Sequence, residues 1–219
     1  MTLRHAIYVG LTLALAVPAS AADPGIRLPT DGDDYSALVA KTAAHDASVD
    51  FRALRLAFLK SKANARADSD AIDSLRGAMV NATRVSPPDA ALVRQKAEQI
   101  LSIDYTDMQA HKLLRQSCTI LHDDACAELH HFIEFGLLTS ITNSGDGKTC
   151  AKGWEVVTIK EEYFVLSMMD VTFEQQALVS DGGHSCDAMT VRDQSGAEQV
   201  YYFNADIVLA TEAAALGLK

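Results

Sequence analysis

From Asp34 to about Leu138 apolar residues recur three and four positions apart, the period of a helix with one buried face. Leu38 and Val39 begin the pattern. Phe51, Leu54 and Phe58 form the next stripe, with Ser48 or Asp50 placed to cap it. Ile72, Leu75, Met79 and Ala82 follow, then Leu92, Val93, Ala97, Ile100 and Leu101 after the break at Ser86-Pro87-Pro88. Two more helices are predicted, from about Thr106 to Leu121 and from about Asp124 to Leu138. The last four make two helical hairpins offset by about 36 residues. That is near the 34-residue period of tetratricopeptide repeats, but the signature of those repeats is not met.

Beyond the turn cluster Asn143-Ser144-Gly145-Asp146-Gly147 the period shortens to two. Strands are predicted at Glu155–Ile159, around Gln176–Val179, at Asp187–Arg192 and at Gln199–Asn204, with a helix at Glu161–Met169. Asp193 to Gly196 make the turn of a hairpin. The predicted fold class is therefore α+β: N-terminal helical hairpins (a repeat-like α bundle), then a small antiparallel β-sheet with one helix. The expected organisation is a leader over 1–21, a linker over 22–33, a helical unit over 34–142, a small α+β unit over 143–209 and a tail over 210–219.

The N-terminus alters this picture. Arg4 and His5 precede the apolar run Ala6–Val17, and Ala19-Ser20-Ala21 supplies the small residues of a cleavage site. This is the pattern of a secretory signal peptide, cut after Ala21. The run is too short for a membrane helix, which needs about 20 residues. A periplasmic or secreted location is expected, with no membrane insertion after cleavage. The formal charge of −10 disfavours nucleic acid and permits a basic partner.

Cys118, Cys126, Cys150 and Cys186 all lie in the exported part, where an even count predicts two disulfides with three connectivities open. If Cys118 pairs with Cys126, the helix must break between them, because on one helix they would stand about 12 Å apart along the axis. His122-Asp123-Asp124 is the natural place. Cys150 and Cys186 would then tie the entry loop to the third strand. Zinc is the rival, but the spacings do not match a cysteine knuckle.

Several stretches resemble an uncharacterised, domain-of-unknown-function family of exported bacterial proteins. These are Asp50 to Phe58, Ala110-His111, Gly145-Asp146-Gly147, Trp154 to Leu166 with Glu161-Glu162-Tyr163, Gln176 to Val179, Asp187 and Tyr202-Phe203-Asn204. At Phe58 the family often carries a Tyr. The resemblance covers about Asp50 to Asp206 and implies export; it implies no mechanism.

Candidate chemistry concentrates between His111 and Glu134. Glu128 and His131 share a helix face at the Glu-x-x-His spacing of carboxylate-bridged metal sites, and His111 is the third candidate ligand. A second such pair is missing, and His130 with Glu134 makes an equally good surface pair. Gly145-Asp146-Gly147-Lys148-Thr149 ends like a phosphate loop but has Thr142 where that loop needs glycine. In His184-Ser185-Cys186-Asp187, neighbours on a strand point to opposite faces and do not converge. Glu161 and Glu162 suit the first turn of a helix. His111, Trp154, Tyr163 and Tyr202 are the candidate binding residues.

Beside a purely structural or stress-linked envelope component, two functions from different classes remain. One is a non-enzymatic module of the cell envelope that binds a protein or peptide, with no cofactor. The other is a metal-assisted hydrolase using a divalent ion between His111 and Glu134.

Overall fold

The computed structural model describes Asp23 and residues 25–217, so the expected leader over 1–21 lies outside the described residues. Seven helices come first: α1 (Asp34–Ala43), α2 (Phe51–Leu59), α3 (Lys62–Arg66), α4 (Ser69–Arg84), α5 (Ala90–Leu101), α6 (Met108–Ile120) and α7 (Asp124–Thr142). A single 3-10 turn at Cys150–Lys152 leads to β1 (Trp154–Glu155), α8 (Ile159–Met168), β2 (Thr172–Asp181), β3 (His184–Arg192), β4 (Glu198–Asn204) and α9 (Asp206–Ala215). This is an α+β chain, helices in front and sheet behind.

Aspartates start most of the helices. Asp33, Asp50, Asp68, Asp89, Asp107 and Asp123 each accept a hydrogen bond from a backbone N–H in the first turn of the helix that follows, and Ser61 does so for α3. Each satisfies a donor the helix leaves free and places negative charge at its positive end. Six of the 29 acidic residues thus have a structural role as caps.

The helices pack as consecutive neighbours: α4 on α5, α5 on α6, α6 on α7. The predicted break between the last pair is real. α6 ends at Ile120, His122 takes φ 60°, and α7 begins at Asp124. The fold brings Cys118 within 5.9 Å (Cα–Cα) of Cys126 and Cys150 within 5.6 Å of Cys186, and both pairs are disulfide-bonded.

The sheet order is β1-β4-β3-β2. The three long strands are antiparallel, as alternation and turn chemistry predict. The short β1 adds a parallel edge on β4, pairing Trp154 with Phe203. Of the predicted strand at Glu155–Ile159 only Glu155 lies in β1, because the pairing with β4 ends at Glu155–Asn204 and α8 begins at Ile159. β2 is longer than predicted, and α9 starts at Asp206, ahead of the alanine-rich stretch.

One apolar core is continuous across these elements. It runs from Leu54, Met79 and Leu114 through Ile133 and Leu137 to Phe164, Met189, Val191 and Phe203. The lead-in lies against α5: Asp23 and Ile26 are buried, and the Arg27 N–H donates to Ser102 Oγ. No helix among the described residues is long and apolar enough to cross a membrane.

Candidate functional site

His111 is fully buried and so is His130, although His130 was expected on the surface. Their Nδ1 atoms stand 2.8 Å apart, and His111 Nε2 lies 2.9 Å from the Tyr105 carbonyl. The carbonyl can only accept, so His111 carries its proton on Nε2. Its Nδ1 then accepts from His130 Nδ1–H, and His130 Nε2 is left as a bare acceptor, without a partner and 3.9 Å from Asp23. Burial holds His111 down to about 4 and His130 down to about 2, the latter with help from His111.

The proposed metal triplet is not brought together. Glu128 and His131 share a face of α7, as their spacing requires, but it is the outer face, and both are exposed. They border a shallow groove with His45 and Phe135, whereas His111 lies in the core against the inner face. Glu134 is also buried, its Oε2 held at 2.7 Å by Arg115 Nε. Asp23, Cys118 and Cys126 do converge in space, but the two sulfurs are bonded to each other and offer no thiolate.

The proposed binding residues also sit apart. Trp154 is buried, stacks on Tyr201 and donates from Nε1 to the Gly145 carbonyl at 3.2 Å. Gly147 (φ +66°) lets the turn lie on that ring, where a Cβ would come within 2.7 Å of it. Packing explains the Gly-Asp-Gly turn, and phosphate does not. Tyr202 is half-buried on β4, paired with Ala188, and its N–H donates to the Gly147 carbonyl. Only Tyr163 borders a deep cavity. His184 reaches Asp206 at 2.7 Å, and Cys186, two residues on, is tied to Cys150 and offers no thiolate.

Glu161 and Glu162, expected as first-turn residues of a helix, do stand at the start of α8, but both are buried. Glu161 forms a two-bond pair with Arg55 of α2: Nε to Oε1 at 2.8 Å and Nη2 to Oε2 at 2.7 Å. Arg55 also donates to the Glu155 carbonyl and to Ser140 Oγ, and the Val157 N–H donates to Glu161 Oε2. Glu162, fully buried, has no donor at either oxygen. The group beside it is the Asp187 carboxylate of β3, and two carboxylates bond only through a proton. Burial, then the Asp187 charge, push Glu162 up to about 9, which favours the protonated carboxyl at neutral pH. The signal was the pair Glu161-Glu162 between two apolar runs, a place where solvated carboxylates are not expected.

Next to this network opens a cleft of about 690 Å³ between α4, the Asp104–Gln109 stretch, α8 and α9. Phe58, Ile72, Met108, Phe164 and Val208 are its buried apolar lining. Polar groups border it. Arg76 is paired with Asp107 at 2.8 Å, and Lys160 lies 3.5 Å from Asp73. Asp104 takes both the N–H and the hydroxyl of Thr106 on Oδ1, and no cation among the described residues lies within salt-bridge distance of it. Burial and then the Asp107 charge push Asp104 up to about 7.

The model of the domain of unknown function (DUF4919) matches residues 34–213. The chain belongs to that family. The DUF4919 span takes in the whole cleft, from Phe58 to Glu212, the Arg55–Glu161 pair and both disulfides; Asp23 lies before it. No curated protein and no solved structure matches the chain.

Proposed function

We propose that this DUF4919 protein is an exported binding module, periplasmic or secreted, that takes a basic, partly apolar peptide segment into the cleft between α4 and α8. The carrying observation is Asp104, which has no cation within salt-bridge distance among the described residues and stands at the edge of an apolar cavity whose other inner carboxylates, Asp107 and Glu161, are matched by Arg76 and Arg55, while Glu212 borders it from the exposed side. A lysine or arginine side chain at Asp104 would supply the missing charge, while neighbouring apolar side chains fill the space over Phe58, Ile72 and Phe164. Two disulfides and the signal-like leader support export. The reading needs no cofactor. The metal-assisted alternative gains nothing from the geometry, since Glu128 and His131 sit on the opposite side of α7 from His111.

The test is titration of the chain lacking residues 1–21 with short peptides carrying one lysine among apolar residues, followed calorimetrically. Binding is expected to weaken about tenfold or more in Asp104→Asn, the loss of a charge-assisted bond. It is also expected to fade below about pH 7, because protonated Asp104 presents no charge. Equal affinity in the wild type and Asp104→Asn overturns the assignment.

A further inference from the structure

The outermost strand of the sheet points to a second interaction surface, independent of the cleft. β2 has β3 on one side and, among the described residues, no strand on the other, and it runs for ten residues, Thr172–Asp181. Such an edge presents a row of unpaired N–H and C=O groups, which proteins ordinarily protect with lysine, proline, a bulge or a cover. Here the irregularity falls at one end, between Phe173 and Gln175. Glu174 beside it is already held by Arg192 through two bonds, at 2.7 and 2.9 Å. The middle, Gln175-Gln176-Ala177-Leu178-Val179-Ser180, contains no charge, no proline and no glycine. That composition favours strand pairing.

We propose that two copies of this chain pair antiparallel through β2 about a two-fold axis at Ala177, merging their sheets into one. An axis normal to the sheet keeps each face on its own side, so paired residues must share a face. Centring on Ala177 meets this condition: Gln176 meets Leu178 of the second copy on one face, and Gln175 meets Val179 of the second copy on the other. Gln176 and Leu178 lie on the α8 side, opposite Met189 and Asp187 of β3. There Leu178 is 59% exposed and Tyr163, whose hydroxyl bonds Gln176, is 42% exposed. Pairing lays Leu178 of each copy beside Gln176 and Tyr163 of the other, so one register covers both exposed side chains twice. The self-complementarity of this stretch selects a second copy over a foreign strand. The acidic chain also meets itself at its uncharged middle, residues 175–180, with Asp181 left at the strand end opposite Phe173 of the second copy.

The decisive experiment uses two variants at the axis, Ala177→Lys and Ala177→Glu, in the chain lacking residues 1–21. Ala177 is exposed, so both variants are expected to keep the wild-type circular dichroism spectrum and a cooperative melt, at a temperature lowered only by the loss of the second copy. Light scattering after size exclusion should give twice the monomer mass for the wild type. Each variant alone should give the monomer mass, since like charges then face each other across the axis. An equal mixture of the two should restore the doubled mass. A monomeric wild type overturns the proposal, as do variants that remain dimeric alone or a mixture that stays monomeric.

Discussion

Arg55 and Glu161, separated by 106 residues in the chain, meet side by side in the core with the arginine side chain wholly buried. The pair joins α2 to the start of α8 and also fixes the Glu155 carbonyl and the Val157 N–H. It therefore sets where α8, one wall of the cleft, stands relative to the helices.

Breaking one half of this pair should be costly. Arg55→Met leaves Glu161 buried without its cation, and a loss of about 3–5 kcal/mol is expected in urea unfolding. The double variant Arg55→Met with Glu161→Gln should lose much less than the sum of the single changes, because no buried charge is then left over. A single-variant loss within experimental error of zero would contradict the burial of the pair.

Glu162 should act in the opposite sense. Its carboxyl is held neutral in the fold with a pKa of about 9, whereas an unfolded glutamate loses its proton near 4.5. Between those values the unfolded chain binds fewer protons, so stability falls as pH rises. Below about 4.5 the penalty vanishes. Glu162→Gln keeps the shape and should remove that slope, stabilising the fold at pH 7 by on the order of 1–3 kcal/mol. Melting curves of both proteins from pH 5 to 9 check this; parallel curves would show that Glu162 is ionised in the fold.

The histidine pair adds an acid-side dependence. His111 and His130 stay neutral in the fold down to about 4 and about 2, while unfolded histidine takes a proton near 6.5. Their contribution is whole above pH 6.5 and is lost progressively below it. Nitrogen-15 NMR of the imidazoles at pH 5 should show two neutral rings, His111 protonated on Nε2 and His130 on Nδ1. An imidazolium at either position would refute the tautomers deduced from the Tyr105 carbonyl.

The helical half of the chain was largely legible from its letters. Apolar stripes and aspartates just ahead of them specify helices locally, so α1 and α4 to α7 were placed within a few residues, and a Cys118–Cys126 bond, one of the open pairings, would require the break near His122. The hairpin from β3 to β4 was readable too, because the turn from Asp193 to Gly196 is local chemistry. By contrast, the sequence marked Glu128 and His131 by spacing but held nothing to say that this face of α7 points outward. It likewise gave no sign that Arg55 would find Glu161, or that Asp187 would stand beside Glu162. A partner far along the chain is chosen by packing, and burial sets which charges must be matched or protonated. For the same reason the cleft at Asp104 and the bare edge of β2 exist only in the assembled molecule: periodicity dictates elements, while their docking decides which surfaces remain open.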